Sequence, residues 1–294
     1  MNCNLVLQKL APHQLLSRIA GKLAQIEQPV LKNQFIKWLM QLYPIDLSEA
    51  VIQDPEAYKN FNDFFLRKLQ SNKRPITQQA NAIASPVDGF VSQFGAIEKD
   101  RLIQAKGKNF NLLDLFAADR EASLKFSRGS FMTLYLAPQN YHWVHMPIDG
   151  QLTAMTYVPG KLFSVNPLTL NNMENVFASN ERVICLFETA VGPMAMILVG
   201  AMLVGSINTV WHGDVNPKHP KQIQQWHYPN PQAPTPKLNR GEPMGHFKMG
   251  STVILVFAEN HLQWQQQLQC DSAVKYGEKI ATSTTVPRTS SVDI

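Results

Sequence analysis

Lys248-Met249-Gly250-Ser251-Thr252-Val253-Ile254-Leu255-Val256-Phe257 is the stretch around which the rest of the chain is organised. Its second half is an unbroken run of β-branched, aliphatic and aromatic residues, which predicts a buried strand. Its first half is a turn of small residues with two adjacent hydroxyls, so Ser251 stands at the mouth of that strand. A hydroxyl placed there suits nucleophilic work, although Gly-Ser ahead of a strand is in most proteins only a turn.

Upstream of this stretch, from Arg74-Pro75 onward, the pattern is one of short β-type runs separated by Gly, Pro, Asn and Asp. Strands are expected at residues 89–97, 101–105, 131–136, 151–157, 182–187, 194–199 and 252–257, with a short helix near 112–118. Before residue 75 the periodicity is helical. Leu15, Leu16, Ile19, Leu23 and Ile26 form one apolar stripe, and Val30, Leu31, Phe35, Ile36, Leu39, Met40 and Tyr43 form a broader one. Pro29 between them reads as a first helical residue. Asp54-Pro55 opens a third helix expected to run to about Leu69, with Phe61, Phe64, Phe65 and Leu69 on one face. The fold class is therefore α+β, with amphipathic N-terminal helices packed on or beside a mostly antiparallel, barrel-like or sandwich body. The boundary falls between a helical region over residues 1–74 and a β-rich catalytic region over 75–294. Residues 211–247 are proline-rich and without periodicity, and because they lead directly to Ser251 they are expected to form a functional loop. The Ser/Thr-rich tail after Ala281 is expected to fray.

Composition narrows the function classes. Charged residues make up 17% of the 294-residue chain, well below the usual quarter, so the surface suits an apolar neighbour. The net charge of +5 is diffuse, with no run of five basic residues, which excludes a dedicated nucleic-acid surface and suits an anionic membrane. Most of it sits in residues 1–44, where Lys9, Arg18, Lys22, Lys32 and Lys37 stand against Glu27 alone. That segment reads either as a helical pair with a solvated basic face or as an interfacial anchor with lysines among the headgroups. No stretch approaches 18 consecutive apolar residues and the N-terminus lacks a signal-peptide core, so any membrane contact is expected to be peripheral. Cys3, Cys185 and Cys270 show no paired spacing and read as free thiols, with Cys185 in the core.

Asp88, in Ser85-Pro86-Val87-Asp88-Gly89, is a carboxylate in a tight turn, a pattern that alone marks a hairpin. His142 and His145, in Tyr141-His142-Trp143-Val144-His145-Met146-Pro147, lie three apart. No Cys or paired carboxylate completes a ligand set, so no metal is expected; in extended chain the two rings face opposite ways, whereas in a turn of helix they share one face. Gly200, Gly205 and Ser206 offer a second Gly-Ser, whose glycines read as close backbone packing and whose serine is a decoy. Asp88, His145 and Ser251 together are the parts of a nucleophilic triad. Yet no G-x-S-x-G elbow is present and Ser251 precedes a strand, which fits a standard hydrolase poorly.

With these residues in view, the chain resembles the bacterial phosphatidylserine decarboxylase proenzymes over nearly its whole length. The resemblance rests on Phe61-Asn62-Asp63-Phe64-Phe65, Arg74-Pro75-Ile76, Ser85-Pro86-Val87-Asp88-Gly89, Gln104-Ala105-Lys106-Gly107, Ala137-Pro138, Tyr141-His142, Val144-His145-Met146-Pro147, Val204-Gly205-Ser206-Ile207 and Gly250-Ser251-Thr252. The family's cleavage motif reads Leu-Gly-Ser-Thr, and Met249 here replaces the leucine without touching the reacting atoms. The resemblance implies that Asp88 and His145 activate Ser251 to attack the carbonyl of Gly250, splitting the chain into residues 1–250 and 251–294, which stay associated. It implies a pyruvoyl group made from Ser251 as the covalent cofactor, forming a Schiff base with phosphatidylserine, with His142 as proton donor and phosphatidylethanolamine and CO2 as products. It implies a peripheral enzyme on the cytoplasmic face of an anionic cell membrane and leaves a homodimer open. A Ser-His-Asp hydrolase on lipid or peptide and a non-catalytic barrel-like binding module are the competing readings of the same residues.

Overall fold

The computed structural model describes residues 13–105, 107–202, 206–215, 221–231, 234–248, 251–258 and 262–284. Cys3, Lys9, Lys106, Val204, Gly205, Met249 and Gly250 lie outside them, as do the side chains of Leu15, Leu16 and Arg18.

Two helices open the described chain, α1 (His13–Leu23) and α2 (Pro29–Leu42). Pro29 occupies the first turn of α2 as its fixed φ allows, and the Gln28 side chain caps it by accepting from the Leu31 N–H at 2.8 Å. The expected third helix is broken. A 3-10 turn at Pro55–Ala57 starts from Asp54, and α3 (Phe61–Phe65) starts afresh from Asn60, whose side chain accepts from Asp63 N. Two capping residues, each in extended conformation, make two starts where periodicity alone suggested one. Phe61, Phe64 and Phe65 do share the buried face, in a helical core with Ile36, Leu39 and Tyr58. Leu69 instead forms a β-bridge with Ala50. Lys32 also departs from the expected basic face: it is buried and donates to the Glu56 carbonyl at 2.7 Å.

Beyond these, α4 (Leu112–Leu115) stops short of the expected 118, because Ala117 and Ala118 adopt positive φ of 56° and 67°. Three further helices, α5 (Arg120–Phe126), α6 (Pro167–Asn172) and α7 (Val176–Ser179), are too short to leave a periodic signature.

The body is built from β1 (Ala82–Ala84), β2 (Gly89–Ala96), β3 (Arg101–Ala105), β4 (Lys108–Asn111), β5 (Ser130–Leu136), β6 (Trp143–His145), β7 (Gly150–Val158), β8 (Arg182–Thr189) and β9 (Gly192–Val199). It continues through β10 (Ile207–Thr209), β11 (Gly213–Asp214), β12 (Gln224–His227), β13 (Lys237–Leu238), β14 (Pro243–Phe247), β15 (Ser251–Phe257), β16 (Leu262–Trp264), β17 (Ala273–Val274) and β18 (Lys279–Ser283). Nine strands form the main sheet, in the order β12-β7-β8-β9-β15-β5-β2-β17 with β13 also on β7. A four-stranded sheet runs β11-β10-β14-β6 and a three-stranded one β1-β18-β16. Their ladders are antiparallel, as the α+β reading requires. Two expectations are corrected here. Residues 211–247 carry four short strands rather than one long loop, with Pro243 at the first position of β14, where a missing N–H is tolerated. Order also continues past Ala281, because β18 pairs with both β1 and β16.

The opening stretch is the middle of the main sheet. Every residue of β15 is buried, Ser251 lies opposite Leu136 of β5, and Thr252 lies opposite Val199 of β9. Val253 to Phe257 are at most 2% exposed, and each such side chain stabilises the fold by about 1.5–3 kcal/mol. The strand's far end leaves no room beside it: a Cβ at Gly129 would lie 1.8 Å from the Phe257 carbonyl oxygen. Gly129→Ala is therefore expected to cost about 3 kcal/mol, read as a lower denaturant midpoint with an unchanged slope.

Candidate functional site

β14 and β15 belong to different sheets, so the residues between Lys248 and Ser251 carry the chain from one sheet to another. Both sides of that crossing are tied down. Upstream, Phe247 N donates to the His142 carbonyl at 3.2 Å and Lys248 N to the Ser206 carbonyl at 3.1 Å. The Lys248 ammonium pairs with Asp214 at 2.5 Å, and Asn208 donates to the same carboxylate at 3.0 Å. Burial works against that charge, but these two partners outweigh it and hold the Asp214 carboxyl below its ordinary range. Downstream, Ser251 is already in the ladder. Its hydroxyl is buried without a hydrogen-bond partner among the described residues, a costly state for a polar group with no other task.

Asp88 sits in the turn between β1 and β2. Ser85 Oγ donates to the Val87 carbonyl at 2.8 Å and shapes the turn from within. Gly89 follows because a Cβ there would lie 2.5 Å from the Tyr135 carbonyl oxygen. The carboxylate is buried and held by the Arg74 guanidinium, with Nε at 3.0 and 3.1 Å and Nη2 at 2.5 Å, and it accepts from the Tyr276 backbone N–H at 2.9 Å. Arg74 also reaches Glu49 at 2.7 Å. Burial opposes its charge, but the bonds to Asp88 and Glu49 outweigh that and raise its pKa.

His145 is brought beside this turn by backbone, since its N–H donates to the Pro86 carbonyl at 2.8 Å. Its Nδ1 lies 2.8 Å from the Gly241 carbonyl, an acceptor only, so Nδ1 carries the proton and Nε2 carries the lone pair. Nε2 lies 3.2 Å from the Tyr141 hydroxyl, which donates to it. The ring stacks on Tyr276 at 3.9 Å and an interplanar angle of 5°. Burial pushes its pKa down to about 4, opposed by the Gly241 carbonyl and the field of Asp88. No hydrogen bond joins Asp88 to His145 among the described residues; the carboxylate acts on the imidazole through space.

His142, three residues earlier, faces elsewhere, as extended chain requires. It is fully buried, stacks on Phe65 at 4.1 Å, and among the described residues has no hydrogen bond of good geometry at either ring nitrogen. Burial, then the charge of Arg67, pushes its pKa down to about 3, opposed weakly by the carbonyls of Pro138 and Ala137. Those carbonyls follow Leu136, the ladder partner of Ser251, so the chain places His142 and Ser251 around one strand end. Ser206 is buried on the same crossing.

Two cavities adjoin the site. One of about 290 Å³ is walled by Trp38, Leu42, Phe65, Leu136, Pro138 and Met202, and is apolar from the helical region to the end of β5. The other, of about 230 Å³, has the charged side chains of Arg67, Arg74, Asp88 and Lys275, with Tyr141, in its lining. Arg74 and Tyr141 were legible only as parts of matching motifs. Gly241, Phe65 and Tyr276 carry no sequence signal that ties them to His142 or His145, because their contacts join distant segments.

Comparison with known proteins bears on this arrangement. A family model described as "Phosphatidylserine decarboxylase" matches residues 61–282, and a second, described as "PSD", matches residues 3–44. Proteins called phosphatidylserine decarboxylase proenzyme from Shewanella sp. (strain MR-7) and Shewanella baltica are each 47% identical over 278 residues, covering 94% of this chain and 95% of theirs. One from Shewanella putrefaciens is 46% identical, covering 94% and 96%. The chain therefore belongs to the phosphatidylserine decarboxylase family.

Proposed function

We propose that Ser251 is the residue from which this chain makes its own cofactor, by cleaving the Gly250–Ser251 bond. The observation that carries this is the Ser251 hydroxyl, buried, without a hydrogen-bond partner, at the point where the chain passes between two anchored strands. The family activity is that of a carboxy-lyase acting on phosphatidylserine, giving phosphatidylethanolamine and CO2, with a pyruvoyl group derived from a serine. The surroundings of Ser251 fit such a group, because the conversion puts the ketone at the former Cα and turns the hydroxymethyl side chain into a methyl, which sacrifices no side-chain hydrogen bond among the described residues. The pyruvoyl ketone supplies a sink for the electrons released when CO2 leaves.

The self-cleavage follows from the chain's own groups. His145, neutral, takes the Ser251 proton on Nε2 in place of the hydrogen bond it accepts there from Tyr141, as Oγ bonds to the Gly250 carbonyl carbon. The C–N bond breaks and the proton passes to the freed Ser251 nitrogen, leaving an ester. Loss of the Ser251 Cα proton then breaks the Cβ–Oγ bond and frees Gly250 as a carboxylate, and water replaces the nitrogen, which leaves as ammonia. Asp88 favours the imidazolium through space at the first step. The two products, 1–250 and 251–294, stay together because β15 remains paired along its length with β5 and β9. His142 serves the later reaction as proton donor to the former α-carbon of the substrate, in a site screened by Phe65.

The helical region would bring the enzyme to the cytoplasmic face of an anionic membrane. No helix among the described residues is long and apolar enough to cross one. Ile19, Leu23, Val30, Leu31, Trp38 and Leu42 are each about half exposed on α1 and α2, and the last two also line the apolar cavity leading to Leu136. Changing Trp38 and Leu42 together to serine is expected to weaken co-sedimentation with phosphatidylserine vesicles by about tenfold or more. Unchanged sedimentation of that variant, or of a chain lacking residues 1–44, would remove the membrane role.

A further inference from the structure

No hydrogen bond joins Asp88 to His145 among the described residues, and Tyr276 contacts both. Tyr276 gives its backbone N–H to Asp88 at 2.9 Å and lays its ring on His145 at 3.9 Å, nearly parallel. It is delivered by the segment after Ser251. β17 pairs with β2 at Phe90 and Gly89, next to Asp88, while Gly277 N donates to the Ser85 carbonyl and Ser85 N to the Glu278 carbonyl. The residues on both sides of Tyr276 are thus stitched to the Asp88 turn. The Tyr141 ring completes the group, 5.7 Å from both His145 and Tyr276. We infer that Tyr276 is a positioning residue for self-cleavage: its ring fixes the plane of His145 while its N–H fixes the carboxylate that acts on that ring. The C-terminal segment then supplies more than the serine, and a chain that lacks the segment around residue 276 is not competent to cleave.

A flat ring on one face leaves His145 two degrees of adjustment, rotation about its own axis and tilt. The Gly241 carbonyl and the Tyr141 hydroxyl restrain the rotation, and Tyr276 restrains the tilt. The groups that face the imidazole are Tyr141, Gly241, Tyr276 and Asp88, with Arg74 behind the carboxylate. Removing the aromatic face admits water, which lessens the burial penalty and raises the imidazole pKa toward its ordinary value.

The inference rests on self-cleavage at Ser251, and the experiment separates the two. Full-length precursor is followed for the appearance of the two fragments between pH 4 and 8. Tyr276→Leu keeps the backbone N–H and is expected to slow cleavage by about 10–100-fold, with the acid limb of the profile moved to higher pH. Tyr276→Phe restores the ring and is expected to bring the rate back to within about threefold of the parent. Tyr276→Met, a flexible side chain that refills the volume, behaves as the leucine variant does and replaces it if that variant loses its thermal transition. A merely structural role would lower the rate at every pH without moving the limb. An unmoved limb, a parent-like rate in the aliphatic variants, or a phenylalanine variant as slow as they are would overturn the positioning role. Cleavage in Ser251→Ala, run alongside, would instead overturn the assignment of Ser251.

Discussion

Ser251→Ala is expected to leave the chain in one piece and without decarboxylase activity, a loss of at least about 10⁶-fold, since the electron sink is never made. The same change is expected not to harm the fold. The Ser251 hydroxyl is buried without a partner among the described residues, and its removal relieves a desolvation penalty of about 1–3 kcal/mol, so the thermal midpoint stays level with or above that of the uncleaved precursor. Few active-site substitutions combine total loss of function with unimpaired stability, and the combination excludes misfolding as the cause. Cleavage gels, vesicle assays for phosphatidylethanolamine and a thermal melt on one preparation check all three parts. A variant that still matures at this position would remove Ser251 from its role.

His142→Gln is expected to separate the two reactions that the family runs in sequence. Cleavage should proceed at close to the parent rate, because the His142 ring stacks on Phe65 and its nitrogens share no hydrogen bond with His145, Asp88 or Arg74 among the described residues. Turnover of phosphatidylserine should fall by about 10²–10⁴-fold, the usual worth of a positioned proton donor. The buried imidazole is neutral at pH 7, its pKa having been pushed down to about 3 by burial and the nearby Arg67. A substrate phosphate and carboxylate bring negative charge, which raises that pKa and lets the ring take up the proton it will give. Turnover within tenfold of the parent in a fully cleaved sample would exclude His142 as the donor.

Seven of the eighteen described strands were legible because they are apolar or alternating runs of five or more residues, and the central one, β15, is the least ambiguous of all. Helix boundaries were less so. Asn60 and Asp54 look alike to a periodicity reading, yet each starts its own turn and together they break the expected third helix. The strands hidden in residues 211–247 are two to five residues long, and prolines between them mask any alternation. At the site, candidate residues could be named from sequence but their wiring could not. Asp88, His145 and Ser251 suggest a hydrogen-bonded relay, whereas the carboxylate is taken by Arg74 and the imidazole by Gly241 and Tyr141. A backbone carbonyl carries no side-chain signature, so Gly241 could not be found from sequence. Tyr276 lies 131 positions from His145, and the pairing of β17 with β2 and the backbone bonds of Gly277 and Glu278 to Ser85 bring it back.

Intact-mass analysis of the purified full-length protein is the most direct measurement. The expected result is two species, residues 1–250 ending in an ordinary carboxylate and residues 251–294 lighter by one ammonia than a fragment that begins with serine. The small species should also resist Edman degradation. A single chain of full mass, or a small fragment with a free N-terminal serine, would contradict the conversion of Ser251 into the pyruvoyl group.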